Sequence, residues 1–557
     1  MSGAIVLALI IATTSGTHPE NAAGSSELCR LVAAGYLAGL HQPDFSNYRT
    51  KIEDFYGPAG YAPAWTDRGV PTAPAQAIIA ALASADIKGL DPEDYDGSRW
   101  AGRLQQLKEA RASEADLARF DLALTVSLMR YISDLHSGRA NPGIFHRGFD
   151  LPDGETDLAR FIRQRLVSAT DVNRVLQSVE PPYPGYWRTE RALQQYMALA
   201  REDSGEPLPR PQKTIDPGAP YAGISRLASL LRELGDLPPD AALADPAIYG
   251  GPLVAAVKHF QGRHGLDPDG RLGKATIAEL NTPLSKRVRQ LALTLERWRW
   301  MPHHYSQPPV VVNIPEFRLC ALNRGYESEL SMKVVVGRAW RHQTPIFAAE
   351  MTHVIFRPYW DVPPSILRAE LLPKLAQEPS YFIKHGYEVV DSRARAISRG
   401  EVNEEILGGL RSGKFRVRQV PGGENALGLV KFVFPNRYDV YLHGTPATSL
   451  FARTRRDFSH GCIRVEKPAE LAAWVLRSLP EWTPERILQV MNGGRTLQVN
   501  LPAPIPVLIV YGTAVVPENG EVDFFADIYG QDAALERSLA SRSSDAAAAS
   551  APLPNGT

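Results

Sequence analysis

The sequence predicts a multidomain α+β chain. A helical amino-terminal scaffold comes first, then a small three-helix module, then a mainly β domain with a partly helical lid insertion. Three observations carry this reading. The 557 residues exceed what a single hydrophobic core serves, while 44% hydrophobic and 22% charged residues are ordinary globular values. Apolar residues recur at steps of three and four through residues 30–215. After Val310 the texture changes to short β-branched and aromatic runs.

The elements follow in order. Residues 1–23 read as a secretory segment, with an apolar run from Ala4 to Ala12 and small residues at Asn21-Ala22-Ala23. The basic flank usual in such segments is missing, since the first Lys or Arg is Arg30. The run is also shorter than the about 20 residues that span a bilayer. In the scaffold, residues 30–215, the clearest helix carries Leu117, Phe120, Leu124, Leu128, Tyr131 and Leu135 on one face and stops near Gly138. A Pro/Gly-rich break from Pro207 to Pro220 precedes the module, residues 220–283. There Ile224, Leu227, Leu231 and Leu234 mark one helix. A second begins at Pro252 and carries Val257 and Phe260, and a third holds Ile277 and Leu280.

The β domain is expected over residues 308–500. Its strand-like runs include Val310–Ile314, Lys333–Val336, Thr352–Phe356, Val430–Phe434 and Tyr438–Leu442. The insertion, about residues 364–413, is too long for a connecting loop. Residues 501–537 read as further strands packing on the scaffold or on the β domain. Residues 538–557, rich in Ala and Ser, read as a disordered tail.

Lys+Arg and Asp+Glu are equal at 61 each, so no basic excess points to a nucleic acid. The three cysteines, Cys29, Cys320 and Cys462, form no disulfide framework. Cys462 stands apart through its neighbours, His443-Gly444-Thr445 and Ser459-His460-Gly461-Cys462-Ile463-Arg464. A thiol attacks well as thiolate, and a nearby imidazole can remove its proton. His443 ends a strand and can approach Cys462 across a sheet. His460, two positions before the cysteine, would share its face if the stretch were a strand. Gly461 permits close backbone approach, and the N–H groups of Gly461 and Cys462 are candidate oxyanion donors. Ser459 either hydrogen-bonds the pocket or caps a turn. Arg464 offers a fork-shaped donor to a carboxylate. Two His and a Cys could ligate zinc, but no fourth ligand stands at the usual spacing.

These residues carry two resemblances. Lys258-His259-Phe260-Gln261 with Gly265-Leu266, Asp269-Gly270 and Gly273-Lys274-Ala275-Thr276 resembles the three-helix peptidoglycan-binding module of cell-wall enzymes. His443 followed by Ser459-His460-Gly461-Cys462 resembles the L,D-transpeptidase catalytic signature. Asn313-Ile314-Pro315, Val336-Gly337, Thr344-Pro345, Pro358-Tyr359-Trp360 and Asn425-Ala426-Leu427-Gly428 resemble its large multidomain periplasmic subfamily. The resemblance implies that Cys462 is the acyl-accepting nucleophile and His443 its proton-transfer partner, oriented by the carbonyl of Gly444. His460, Gly461 and Arg464 match pocket positions, and Tyr441 and Trp360 match aromatic positions near the substrate groove. For His460, holding the loop remains open beside proton transfer; for Tyr441 and Trp360, core packing remains open beside substrate contact.

The implied activity joins the third residues of two peptidoglycan stem peptides, a tetrapeptide donor and a diamino-acid acceptor, with release of D-alanine. It needs no metal or organic cofactor, because a thioester conserves the peptide-bond energy. The resemblance further implies export to the periplasm or cell envelope, other cell-wall synthases as partners, and acylation by carbapenems. The same thioester would serve an L,D-carboxypeptidase, an endopeptidase or a lipoprotein-anchoring enzyme. A non-catalytic wall-binding scaffold is the alternative from another class.

Overall fold

The computed structural model of the protein describes residues 19–109, 112–145, 157–243 and 245–550. The apolar run of the expected secretory segment lies outside these residues, and so do residues 551–557 of the expected tail. Residues 19–23, assigned to the same segment, open a helix, Pro19–Ala34. Among the described residues no helix is long and apolar enough to cross a membrane. The described residues divide into two compact units, one within 19–138, 157–180 and 539–550, the other within 139–145 and 181–538.

The first unit is built on helix α1, Glu114–Ser137. Ser113 opens α1 with a capping box: its side chain accepts from the Asp116 N–H while the Asp116 carboxylate accepts from the Ser113 N–H. Gly138, at φ 81°, lies beyond its last turn. Leu124, Leu128 and Leu135 are fully buried with Ile52, Trp65 and Ile78. Asp121 sits in that core at 0% exposure. It accepts from the Tyr56 hydroxyl at 2.7 Å and from the N–H groups of Ala64 and Trp65 at 3.0 and 2.8 Å. Thr125 joins the network through the Tyr56 hydroxyl (2.6 Å) and the Trp65 indole N–H (2.8 Å). A buried carboxylate is tolerable only when so fully satisfied.

The second unit contains the module and the β domain, and it also claims part of the expected scaffold. Helix α2, Pro184–Glu202, lies inside residues 30–215, yet Tyr186, Leu193 and Tyr196 share the core of the β domain. Arg188 of α2 pairs with Glu327 at 2.8 Å. The first compact unit therefore ends near Glu180, while the expected scaffold runs to 215. The reason is an apolar face that matches the sheet.

The module comprises helices α3, Ile224–Glu233, α4, Pro252–Arg263, and α5, Lys274–Leu280. Ile224, Leu227, Leu231, Val257, Phe260 and Ile277 form its core. Its motif has a physical hub in Gln261. The Gln261 amide donates to Asp269, to the Arg271 carbonyl and to Thr276 at 2.9, 3.1 and 3.0 Å, and its oxygen accepts from the Gly270 N–H at 2.8 Å. Gly270 is required, because at φ 73° a Cβ would meet Lys258 and Val254 at 2.8 and 3.0 Å. Helix α6, Leu284–Arg299, leaves the module and packs on α2.

The β domain is one mixed sheet of nine strands. In chain order these are β1 (Val310–Asn313), β2 (Arg318–Leu322), β3 (Ser328–Gly337), β4 (Phe347–Phe356), β5 (Val430–Val433), β6 (Leu442–His443), β7 (Asp457–Ser459), β8 (Ile463–Val465) and β9 (Leu497–Val510). Their spatial order is β7-β3-β8-β6-β5-β4-β9-β1-β2, and a further pairing of β2 with β3 closes the sheet on itself. The pairs β6–β8, β9–β1 and β7–β3 are parallel. Strand β9 lies between β4 and β1, so the expected boundary at residue 500 cuts a central strand. Residues 501–510 belong to the sheet itself.

The insertion is wider than expected and has its own core. Trp360–Asp361, Arg416–Gln419, Tyr387–Val390 and Ala396–Ser398 make a four-stranded sheet under helical turns. Val362, Leu371, Phe382, Val389 and Val417 are buried among them. Strands of two to four residues are too short to show a period. Residues 538–550, expected to be disordered, continue a helix, Gln531–Ser550. Alanine has the highest helix propensity, which the compositional reading underweighted.

Candidate active site

The site is a product of register. Phe432, Leu442 and Ile463 stand side by side on β5, β6 and β8, and all three face the core. The next row, Lys431, His443 and Arg464, therefore faces the other side of the sheet. Tyr441 precedes His443 by two residues, and Cys462 precedes Arg464 by two. The Ile463 N–H donates to the Tyr441 carbonyl at 3.1 Å, which carries the β6–β8 ladder to the end where both lie. Lys431, Tyr441, His443, Cys462 and Arg464 thus line one surface.

His443 is buried at 4% exposure, with Nδ1 2.6 Å from the Gly444 carbonyl. That contact makes Nδ1 the protonated nitrogen and leaves Nε2 as an acceptor. Burial first, then the Arg464 charge, pushes the imidazole down to about 3. The Cys462 thiol donates to the Asp439 carbonyl at 3.6 Å. Burial raises the thiol, and hydrogen bonds from Tyr441 with the charge of Lys431 oppose that rise. The ammonium of Lys431 lies 3.8 Å from the centre of the Tyr441 ring and is itself pulled down by burial. Burial thus disfavours the charged form of both Cys462 and His443.

The loop from Ser459 to Cys462 is a bend. Gly461 has φ 116°, so the strand alternation expected to align His460 with Cys462 is broken here. His460 turns instead to the insertion, with Nε2 2.6 Å from Glu370, and its ring centre is 4.9 Å from that of His342. The Ser459 hydroxyl accepts from the Gly461 N–H at 3.1 Å and donates to the Cys462 carbonyl at 2.6 Å, the turn-capping role. The Gly461 N–H is so engaged, which leaves the Cys462 N–H as the candidate oxyanion donor. Thr344 donates to the Gly461 carbonyl at 2.8 Å and accepts from the Gly337 N–H at 2.9 Å.

Arg464 is mostly buried and its Nε finds no protein acceptor. Burial and the charge of Arg338 lower its pKa, while Cys462 and Glu370 oppose them. A guanidinium held this way can take a carboxylate. Trp360 is the residue not brought into the group. It lies in the insertion, paired with Gln419, with its ring 6.4 Å from that of Tyr387. A cavity of about 610 Å³ elsewhere in the same unit, lined by Tyr183, Trp298, Val311 and Tyr326, includes none of the candidate residues.

Sequence reasoning missed Lys431, Asp439, Glu370, Thr344 and Arg338. Lys431 was findable, because the alternation Val430-Lys431-Phe432 leaves it the one polar residue on a buried strand. Asp439 contributes a backbone carbonyl, and Glu370 acts across 90 residues, so neither has a local signal.

One glycine sets the approach to His443. Gly428 has φ 64°, and a Cβ there would lie 2.6 Å from the Gly444 carbonyl carbon. Gly428→Ala is expected to displace the acceptor of Nδ1, lowering activity by about 10–100-fold and stability by about 1–3 kcal/mol. Thermal melts read against the rate of peptide turnover check both effects.

A mixed sheet closed on itself, with a histidine ending one strand and a cysteine just before its parallel neighbour, is an arrangement compatible with thiol acyl transfer. Residues 308–513 match the model of the L,D-transpeptidase catalytic domain, residues 50–193 that of a scaffold domain, and residues 221–280 that of a "Putative peptidoglycan binding domain". The chain carries the catalytic domain of the L,D-transpeptidase family, after a helical region and a peptidoglycan-binding module. A protein of Haemophilus influenzae named "Putative L,D-transpeptidase" is 33% identical over 269 residues, 47% of this chain and 53% of that protein. The match thus spans about half the length of that relative.

Proposed function

We propose that the chain is an L,D-transpeptidase of the cell envelope that cross-links the third residues of peptidoglycan stem peptides through Cys462. The observation that carries this reading is the placement of Cys462 and His443 on one face of the β6–β8 ladder, Cys462 level with Tyr441 and His443 beside Arg464, within the residues that match the catalytic domain. As the sulfur attacks the carbonyl between the third residue and D-alanine, Nε2 of His443 takes the thiol proton. The Cys462 N–H supports the oxyanion, and Arg464 holds a stem carboxylate. The proton passes from His443 to the leaving D-alanine, and a thioester remains on Cys462. The side-chain amine of a second diamino acid, losing its proton to His443, then takes the acyl group.

The test incubates the full chain with disaccharide-tetrapeptide and reads the products by mass spectrometry. A dimer lighter than two substrates by one D-alanine and no more is the expected product. Tripeptide monomer alone would move the assignment to L,D-carboxypeptidase activity. Unchanged substrate would reject the enzymatic reading in favour of a wall-binding scaffold.

A further inference from the structure

Eight of the nine tryptophans are buried or half-buried; Trp340 is 95% exposed. It stands at the tip of the loop from Arg338 to Gln343, between β3 and β4. The loop is not loosely held. The Arg338 N–H donates to the Ser459 carbonyl at 3.1 Å, and the His342 N–H returns to the Arg338 carbonyl at 3.3 Å. The Gln343 side chain donates to the Ala339 carbonyl at 2.7 Å. At its base, Thr344 bridges Gly337 to the Gly461 carbonyl. The loop is thus tied to the backbone one residue before Cys462. Its rim carries the exposed residues Arg338 and Arg341, and the charge of Arg338 acts on Arg464, whose Nε finds no protein acceptor.

A bare indole on a fixed loop exposes a large apolar area to water and loses little conformational entropy on binding. Tryptophan and arginine are also the side chains that dominate binding hot spots. The flat face of an indole matches the C–H face of a pyranose ring, and guanidinium groups match the carboxylates of a peptide joined to that ring.

We propose that the Trp340 loop is the platform for the sugar of the substrate strand: an amino-sugar ring stacks on Trp340 while Arg338 and Arg341 take carboxylates of the attached stem. This rests on the transpeptidase reading and adds to it a preference for stems that carry their sugar. The chemistry of Cys462 is not altered by the loop; the loop sets which molecules arrive there.

Two measurements test it, on the full chain and its Trp340→Ala and Trp340→Phe variants. The first compares kcat/KM for D-alanine release from disaccharide-tetrapeptide and from the same tetrapeptide without sugar. Trp340→Ala is expected to narrow that ratio about tenfold, mainly through KM for the sugar-bearing donor, and Trp340→Phe to retain most of it. The second is calorimetric binding of an N-acetylglucosamine tetramer to Cys462→Ser protein with and without Trp340→Ala. About a tenfold weaker affinity in the Ala variant supports the platform even where no turnover is seen, in which case the transpeptidase reading alone has failed. Equal affinity in the two proteins overturns the platform, whatever the turnover. An equal loss on both donors would overturn it too.

Discussion

Cys462→Ala is expected to end D-alanine release, at least about 10⁴-fold below the parent chain, and His443→Gln to lower it by about 10²–10⁴-fold. The two losses differ because the sulfur forms the covalent bond, whereas the imidazole only moves its proton. Burial disfavours both charged forms: it holds His443 at about 3 and pushes the Cys462 thiol up. An enzyme that stores a thiolate–imidazolium pair would lose activity when that pair titrates. Here nothing in the pair changes its charge between about pH 5 and about pH 8, so thiol acylation by a small acylating agent should be flat across that window. On the acid side the rate falls only as Nε2 gains a proton, near 3. On the alkaline side the thiolate forms above the usual thiol range. An acid limb centred near 6.5 that disappears in His443→Gln would show that the pair is ionised at rest.

The other large effect belongs to stability. Asp121→Ala should destabilise the amino-terminal unit by about 3–5 kcal/mol, because it leaves the N–H groups of Ala64 and Trp65 without their acceptor and the Tyr56 hydroxyl with Thr125 alone. Asp121→Asn keeps the shape but turns an N–H₂ toward donors, so it should rescue little. The sign of the pH effect separates this group from a surface carboxylate. Burial raises Asp121 to about 6, with the three hydrogen bonds opposing. Its folded pKa thus exceeds the ordinary value of 3.8, and the native state holds more protons between those two values. Its contribution is greatest below 3.8 and declines as pH rises through 6. Melts followed by circular dichroism should resolve a lower transition in the Ala variant, and an unchanged profile would refute the network's role.

Much of this was legible because it is local. The α1 stripe from Leu117 to Leu135, the Pro252 helix start and the Phe260-Gln261 to Thr276 motif each depend on residues within one or two turns. The signature His443 with Ser459-His460-Gly461-Cys462 was legible for a different reason, since chemistry restricts residue type at each position. What escaped depends on pairings distant in sequence. The face of α2 meets strands more than a hundred residues away, β9 enters the middle of the sheet from the far end of the domain, and Glu370 reaches His460 from the insertion. Of the two readings of His460, the strand-face one meets a single torsion angle, the positive φ of Gly461, which turns an apparent strand into a bend. Trp360 stayed open between core and groove because aromatic residues beside a groove and inside a small core have the same composition.

The position of β9 has a consequence for synthesis. A chain made from its amino end produces β1 and β4 long before the strand that joins them. Until residue 510 has left the ribosome, both present open hydrogen-bonding edges that no other segment of the sheet can fill. The domain therefore cannot finish folding in stages; it waits for its last strand, and during that wait it depends on being kept from its own copies.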